Sequence, residues 1–322
     1  KILQGSCLET LSSLEEKSVN TCVTSPPYWG LRDYGTDDQL GLEETPDKFV
    51  ENLVNVFREV RRVLRDDGTV WLNLGDSYSS GGRKTTTNQS LRGDNEYGVT
   101  RPKPSNGIKE KDLIGIPWRV AFALQADGWY LRQDIIWHKP NPMPESVTDR
   151  CTKSHEYIFL LSKSPKYYYD NEVIREPIKP TTTGKASVRE SGDSKTRSKE
   201  HWGIPHQPKN VIREYEEIKG ANKRSVWSIP VKGYQEAHFA TYPPELIKPC
   251  ILAGCPEGGT VLDPFGGSGT TAQVSNNLNR NAILCELNPE YVEIAKGRLH
   301  ESLGMFLDLT VEIPITKEKP NG

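Results

Sequence analysis

Two runs of residues hold side chains and backbone groups that could do chemistry: Ser25-Pro26-Pro27-Tyr28, and Asp263-Pro-Phe-Gly-Gly-Ser-Gly-Thr-Thr271 followed by Glu286. In the first run, the Ser25 hydroxyl and the Pro26 carbonyl are hydrogen-bond acceptors. An exocyclic amine on a base is a poor nucleophile because its lone pair is delocalised into the ring. Acceptors that hold both N–H bonds draw the nitrogen toward tetrahedral geometry and free that lone pair. The prolines keep the carbonyl rigid and offer no competing N–H, while Tyr28 supplies a face on which an extruded base could stack. In the second run, Gly266, Gly267 and Gly269 fall where a strand turns into a helix. The backbone can approach a ligand closely there, and helix N–H groups point at it. Glu286 closes the next strand, where an acid can accept from both ribose hydroxyls, so a nucleoside is implied. The run matches neither GxGxxG for a dinucleotide nor GxxxxGK[ST] for a triphosphate.

The elements that must position these groups alternate between strand and helix. Ser18 to Thr24 reads as a strand stopped by the two prolines. Thr45, a plausible N-cap, and Pro46 open an amphipathic helix in which Phe49, Leu53, Val56, Phe57, Val60, Val63 and Leu64 recur at threes and fours until Gly68. Gly68 to Asp76 is the next strand, Pro117 to Asp127 a helix, Trp129 to His138 a strand and Glu156 to Ser162 another. Toward the end, Gly259 to Asp263, Thr270 to Leu278, Asn281 to Glu286 and Pro289 to Leu299 form one βαβα unit. The expectation is an α/β fold with a mostly parallel sheet.

Two polar stretches interrupt this rhythm. Ser79 to Asp112 reads as a long loop with seven Lys/Arg against four Asp/Glu. Asn171 to Gln235 has thirteen Lys/Arg against eight Asp/Glu, so it is basic within a chain whose formal net charge is -2. That balance argues against a protein that coats nucleic acid, but it concentrates positive charge in one module that could face phosphates. Within it, Trp202, His206, Tyr215 and Trp227 could stack on bases or close a small core. The division predicted is a catalytic part over 1–170 with the loop 79–112, a basic insert over 171–235, and a cofactor-binding part over 236–322.

Other chemistries fit poorly. The six cysteines show no CxxC or CxxH spacing, so neither a disulfide framework nor a metal site is expected. Pro249-Cys250 suggests an attacking thiol, but Ile251 follows it and the dipeptide lies outside the strand-end loop. His138 and Lys139 either line the cleft or are structural, and Tyr167-Tyr168-Tyr169 reads as sheet packing. No apolar run reaches the roughly 18 residues of a membrane span, and the start lacks a signal pattern, so a cytoplasmic chain is expected.

Together, Ser25-Pro-Pro-Tyr28 and Asp263-Pro-Phe-Gly-Gly-Ser-Gly269 resemble the S-adenosylmethionine-dependent DNA amino-methyltransferases, in the order of their beta group. Similarity extends through Gly5-Ser6, through Asp134-Ile-Ile-Trp-His-Lys-Pro-Asn-Pro-Met-Pro144, and through His238-Phe-Ala-Thr-Tyr-Pro243, which is similar to an element that helps hold the methionine end of the cofactor. The resemblance implies a Rossmann-like methyltransferase sheet with flanking helices, S-adenosylmethionine as cofactor, and target recognition by the insert. It implies catalytic roles for Ser25, Pro26, Pro27 and Tyr28. Cofactor contacts fall to Asp263, Phe265, Gly266, Gly267, Ser268, Gly269, Thr270, Thr271, Glu286, Thr24 and Ser6. Many relatives have Gly-Asp where this chain has Gly5-Ser6. Serine heading the tetrapeptide is associated in this family with cytosine-N4 more often than adenine-N6 methylation. The expected activity is therefore site-specific cytosine-N4 methylation of a flipped base in double-stranded DNA by direct transfer. Adenine-N6 methylation is the alternative, ahead of an RNA or protein-glutamine substrate. The resemblance further implies a bacterial or phage-encoded monomer or homodimer, with a cognate restriction endonuclease as a partner that is not physically required.

Overall fold

The computed structural model describes residues 1–30, 39–79, 108–177, 220–231, 242–304 and 308–314. Its elements are β1 (Ile2–Gln4), α1 (Cys7–Ser12), β2 (Val19–Thr24), α2 (Pro46–Val63), β3 (Leu64–Leu74), α3 (Ile116–Ala126), β4 (Tyr130–His138), β5 (His155–Ser162), β6 (Val226–Ser228), α4 (Pro244–Gly254), β7 (Thr260–Asp263), α5 (Thr270–Asn277), β8 (Asn281–Glu286), α6 (Pro289–Leu303) and β9 (Val311–Glu312). The strands form one sheet in the order β6-β4-β5-β3-β2-β7-β8-β1-β9. Among these strands β5 alone runs against the rest, pairing antiparallel with both β3 and β4. The sheet is therefore mixed. Its parallel part brings the carboxyl ends of β1, β2, β3, β7 and β8 to one edge.

Period-two alternation divides the core. Cys22, Val70, Leu72, Leu74, Phe159 and Leu161 face α1, α2 and α3, whereas Val23, Trp71, Ile158 and Leu160 face α4. Helix α2 starts where Thr45 accepts from the Lys48 N–H at 3.2 Å and Pro46 takes the first turn. Its buried stripe of Phe49, Leu53, Val56, Phe57, Val60 and Val63 lies on the sheet. Truncating one such aromatic to alanine costs about 3–5 kcal/mol.

Some boundaries differ from expectation. The helix stops at Val63 and β3 follows at Leu64, so Gly68 lies inside the strand, near the register shift between Val19 and Thr21. A Cβ at Gly68 would lie 3.0 Å from the Arg65 carbonyl oxygen and 3.1 Å from that of Asn20, which explains the glycine. Residues 226–228, read as part of the basic insert, form an edge strand parallel to β4. Trp227 is buried there and donates its indole N–H to the Arg224 carbonyl at 2.6 Å, so of the two roles open to it the structure assigns core closure. Tyr169 stacks on Trp71, as sheet packing requires. Trp202, His206, Tyr215, most of the loop 79–112 and His238 to Thr241 lie outside the described residues. Among the described residues no helix is long and apolar enough to cross a membrane.

Candidate active site

Adjacent strands β2 and β7 deliver the two sequence motifs to one place. The Thr24 hydroxyl donates to Asp263 Oδ1 at 2.6 Å, closing a separation of 239 residues. Asp263 is 1% exposed and receives three further hydrogen bonds: from the Phe265 N–H at 3.1 Å, from the Tyr242 hydroxyl at 3.0 Å and from the Thr271 hydroxyl. Its carboxylate is thus consumed in shaping the turn after β7. Burial pushes its pKa up to about 6 against the opposing pull of these donors.

The same holds for other side chains of the turn. Arg298, reaching from α6, donates to Ser268 Oγ at 3.0 Å and Thr270 Oγ1 at 2.8 Å, and both residues are buried. Gly269 has a left-handed φ of +82° at the N-cap of α5, and a Cβ there would press on Ala295 at 3.1 Å. Gly266 packs on β8, where a Cβ would meet Leu284 at 2.8 Å. Gly267 differs, because a Cβ at that point would find nothing closer than 4.0 Å.

Glu286 closes β8 beside this turn. Its Oε2 accepts from the Gly267 N–H at 2.7 Å and its Oε1 from the Asn288 N–H at 2.8 Å. One donor per oxygen leaves further lone pairs. Burial raises its pKa, and the two N–H groups oppose that rise. Gly5 donates its N–H to the Glu286 carbonyl at 3.0 Å, which brings Ser6 to the same edge. There the Ser6 hydroxyl caps α1, accepting from the Glu9 N–H at 3.4 Å.

At the end of β2, Pro26 is buried while Ser25, Pro27 and Tyr28 are partly so. The Tyr28 ring packs over Gly75, where a Cβ would lie 2.6 Å from Cε2, and its hydroxyl donates to Glu156 Oε2 at 2.8 Å. Burial and the Glu156 carboxylate hold the phenol proton well above its usual range. Glu156 in turn accepts from Lys139 and, at 3.3 Å, from the Asn73 amide. Sequence reasoning left Lys139 between two roles and missed Glu156, Asn73 and Arg298. A lone acid heading the apolar run EYIFLLS, and an Asn inside VWLNLG, were the available signals.

Cys250, the rival nucleophile, is 1% exposed inside α4, where burial raises its thiol pKa and disfavours the thiolate. Among the described residues no group of three or more His, Cys, Asp or Glu could hold a metal ion.

A model of the DNA methylase family, N6_N4_Mtase, matches residues 19–297. The chain is 48% identical over 298 residues to the type II methyltransferase M.Cfr9I of Citrobacter freundii, covering 92% of this chain and 87% of that one. Its fold is similar to that of PvuII DNA methyltransferase (cytosine-N4-specific), with a TM-score of 0.61, 20% identity and coverage of 97% and 88%. It is similar also to a DNA modification methylase of Thermus thermophilus complexed with S-adenosyl-L-methionine, with a TM-score of 0.58, 24% identity and coverage of 97% of each chain.

Proposed function

The chain belongs to the DNA methylase family of N6/N4 amino-methyltransferases, and on that premise we propose that it methylates the N4 amine of cytosine in double-stranded DNA with S-adenosylmethionine. The observation that carries this reading is the Thr24–Asp263 hydrogen bond. It sets the Ser25-Pro26 acceptors and the glycine turn on neighbouring strand ends, so an amine held by one lies beside a ligand held by the other. The cytosine-N4 specificity of the similar PvuII methyltransferase and the serine at position 25 favour cytosine over adenine.

The residues present suit a nucleoside-bearing cofactor. Glu286 has lone pairs for the ribose hydroxyls, Gly267 leaves its surroundings open, and Asp263, Ser268, Thr270 and Thr271 hold the turn through Arg298 and Tyr242. When bound, S-adenosylmethionine supplies an electrophilic methyl group. Ser25 Oγ and the Pro26 carbonyl accept the two N–H bonds of the target amine and free its lone pair, and Pro27 stiffens the loop. The Tyr28 ring, fixed on one side by Gly75, receives the flipped base. Transfer is direct, without a covalent enzyme intermediate, and the displaced proton leaves to water. Recognition falls to the basic insert over 171–235, and a cognate restriction endonuclease reading the same sequence is the setting proposed.

Modified DNA digested to nucleosides and separated by mass spectrometry tests the proposal. N4-methylcytosine supports it, N6-methyladenine moves the target to the other amine, and 5-methylcytosine lost on Cys250→Ala overturns the mechanism.

A further inference from the structure

A stacking face serves only while it is held still. A tyrosine side chain turns about two bonds, and a base lying on its ring turns with it. The amine of a flipped base therefore meets the Ser25 and Pro26 acceptors only while the ring keeps one plane. Two features of the structure fix that plane. Against the ring lies Gly75, where a Cβ would stand 2.6 Å from Tyr28 Cε2, 3.2 Å from Cζ and 3.3 Å from Glu156 Cδ, so the glycine makes room for ring and carboxylate together. At the tip, the Tyr28 hydroxyl donates to Glu156 Oε2 at 2.8 Å and lies 3.4 Å from Asn73 Oδ1. The backbone of the residue is confined too, since a Cβ at Gly41 would lie 3.1 Å from the Tyr28 carbonyl oxygen.

Glu156 is itself held in place by its surroundings. Lys139 donates to Oε1, and the Asn73 amide donates to Oε2 at 3.3 Å and to the Tyr157 carbonyl at 3.1 Å. The Lys139 and Glu156 side chains are 19% and 15% exposed, and the ammonium lies 4.3 Å from the centre of the Trp137 ring. Strand register explains the arrangement: Glu156 pairs with Trp137 across β4 and β5, and Tyr157 with Leu74 across β5 and β3, so the acid falls beside Gly75, where the Tyr28 ring rests. With the ammonium on one carboxylate oxygen, the other is left for the phenol and the amide.

We propose that Glu156 is a positioning residue: by holding the Tyr28 hydroxyl it fixes the plane of the ring on which the flipped base stacks, and Lys139 and Asn73 keep its carboxylate aimed at that hydroxyl. The proposal rests on the amino-methyltransferase reading. It assigns Glu156 no contact with substrate and no proton transfer. What Glu156 sets is the angle at which the amine faces the methyl donor, so its loss slows transfer rather than weakening binding.

Single-turnover methyl transfer at saturating cofactor, on duplex DNA carrying the sequence the enzyme modifies, tests it with Glu156→Gln, Tyr28→Phe and the double variant. Glutamine keeps the size of the side chain, but the ammonium claims its amide oxygen, and the NH2 group is left to face the Tyr28 hydroxyl as donor against donor. Tyr28→Phe keeps the ring and removes the tether. Each substitution is expected to slow transfer roughly 10- to 100-fold, the scale of a misplacement of about 1 Å, while the dissociation constants of S-adenosylmethionine and DNA stay unchanged. In the Tyr28→Phe background Glu156→Gln should cost no more than roughly twofold further, because no hydroxyl remains for it to hold. A role confined to supporting the sheet would instead slow transfer equally in both backgrounds. An unchanged rate for either single variant, or penalties that multiply in the double variant, overturns the positioning role. Should Glu156→Gln fail to fold, Glu156→Asp takes its place: the shorter acid keeps its charge beside Lys139 but withdraws from Tyr28, and its penalty must likewise vanish in the Tyr28→Phe background. Absence of any amino-methylated nucleoside from the unaltered enzyme would instead fail the reading on which the proposal rests.

Discussion

At the ends of β7 and β8 the carboxylates of Asp263 and Glu286 are held by neutral donors, hydroxyls and backbone N–H groups, whereas on β5 the carboxylate of Glu156 is held by an ammonium. The first region keeps uncompensated negative charge, and its cost is visible in the raised pKa of both acids, each penalised first by burial. Such a region gains from a cationic ligand, and the sulfonium of S-adenosylmethionine is one. The second region is neutralised from within, which suits an uncharged base whose amine must give up electrons. One sheet edge thus carries two electrostatic environments, as the proposed reaction between a cationic methyl donor and an uncharged base requires.

Separating the two regions by mutation sharpens this contrast. The largest effect belongs to the catalytic side: Ser25→Ala should lower the methyl-transfer rate by about 100- to 1000-fold, as for a lost transition-state hydrogen bond, with cofactor affinity intact by calorimetry. On the cofactor side, Asp263→Asn tests the uncompensated charge. The native pKa of Asp263, about 6, lies above its ordinary 3.8, so the native state keeps the proton longer than the unfolded chain does. Its contribution to stability is complete below pH 3.8 and is lost as pH rises to about 6. The unaltered protein should therefore lose about 3 kcal/mol across that window relative to Asp263→Asn, measured by denaturant unfolding at several pH values. A flat difference would mean the charge is compensated after all.

Glu286→Ala should weaken S-adenosylmethionine binding roughly 10- to 150-fold, from the loss of charge-assisted hydrogen bonds worth about 1.5–3 kcal/mol. Gly75→Ala should touch only the catalytic side. The added methyl displaces the Tyr28 ring at a cost of about 1–3 kcal/mol, slowing transfer while cofactor affinity stays put. The smallest effect lies outside both regions. Neutralising Lys195, Arg197 and Lys199, which fall outside the described residues, should reduce the salt dependence of DNA binding by about 0.9 in log-log slope per lost phosphate contact. No change would move recognition to residues 83–103.

Both motifs and most long elements were legible because each has its own local signature: α2 by its apolar period and cap, β7 to α6 by alternation around glycine. What escaped had none. β1, β6 and β9 are two or three residues long, too short for a period. Helix α4 contains Pro249, which reads as a breaker, and α1 spans only six residues. The reversed direction of β5 leaves no mark on its own residues. The clue lay in residues 139–154, where Pro140, Pro142 and Pro144 preclude the crossover helix that a parallel neighbour needs. At the site, position alone singled out Asp263 and Glu286 as candidates, but the inward use of the Asp263 carboxylate depends on Tyr242 and Thr24, which only folding brings near.

The bond between Thr24 and Asp263 has a consequence for how the molecule comes into being. β2 is a central strand whose two neighbours are β3, nearby in sequence, and β7, more than two hundred residues later. While a ribosome is still short of residue 263, one edge of β2 is an open row of unpaired N–H and C=O groups beside apolar Cys22 and Val23, the kind of edge that recruits other chains. Loss of the last βαβα unit would bare the middle of the sheet, and a truncated product should aggregate rather than survive as a folded, inactive fragment.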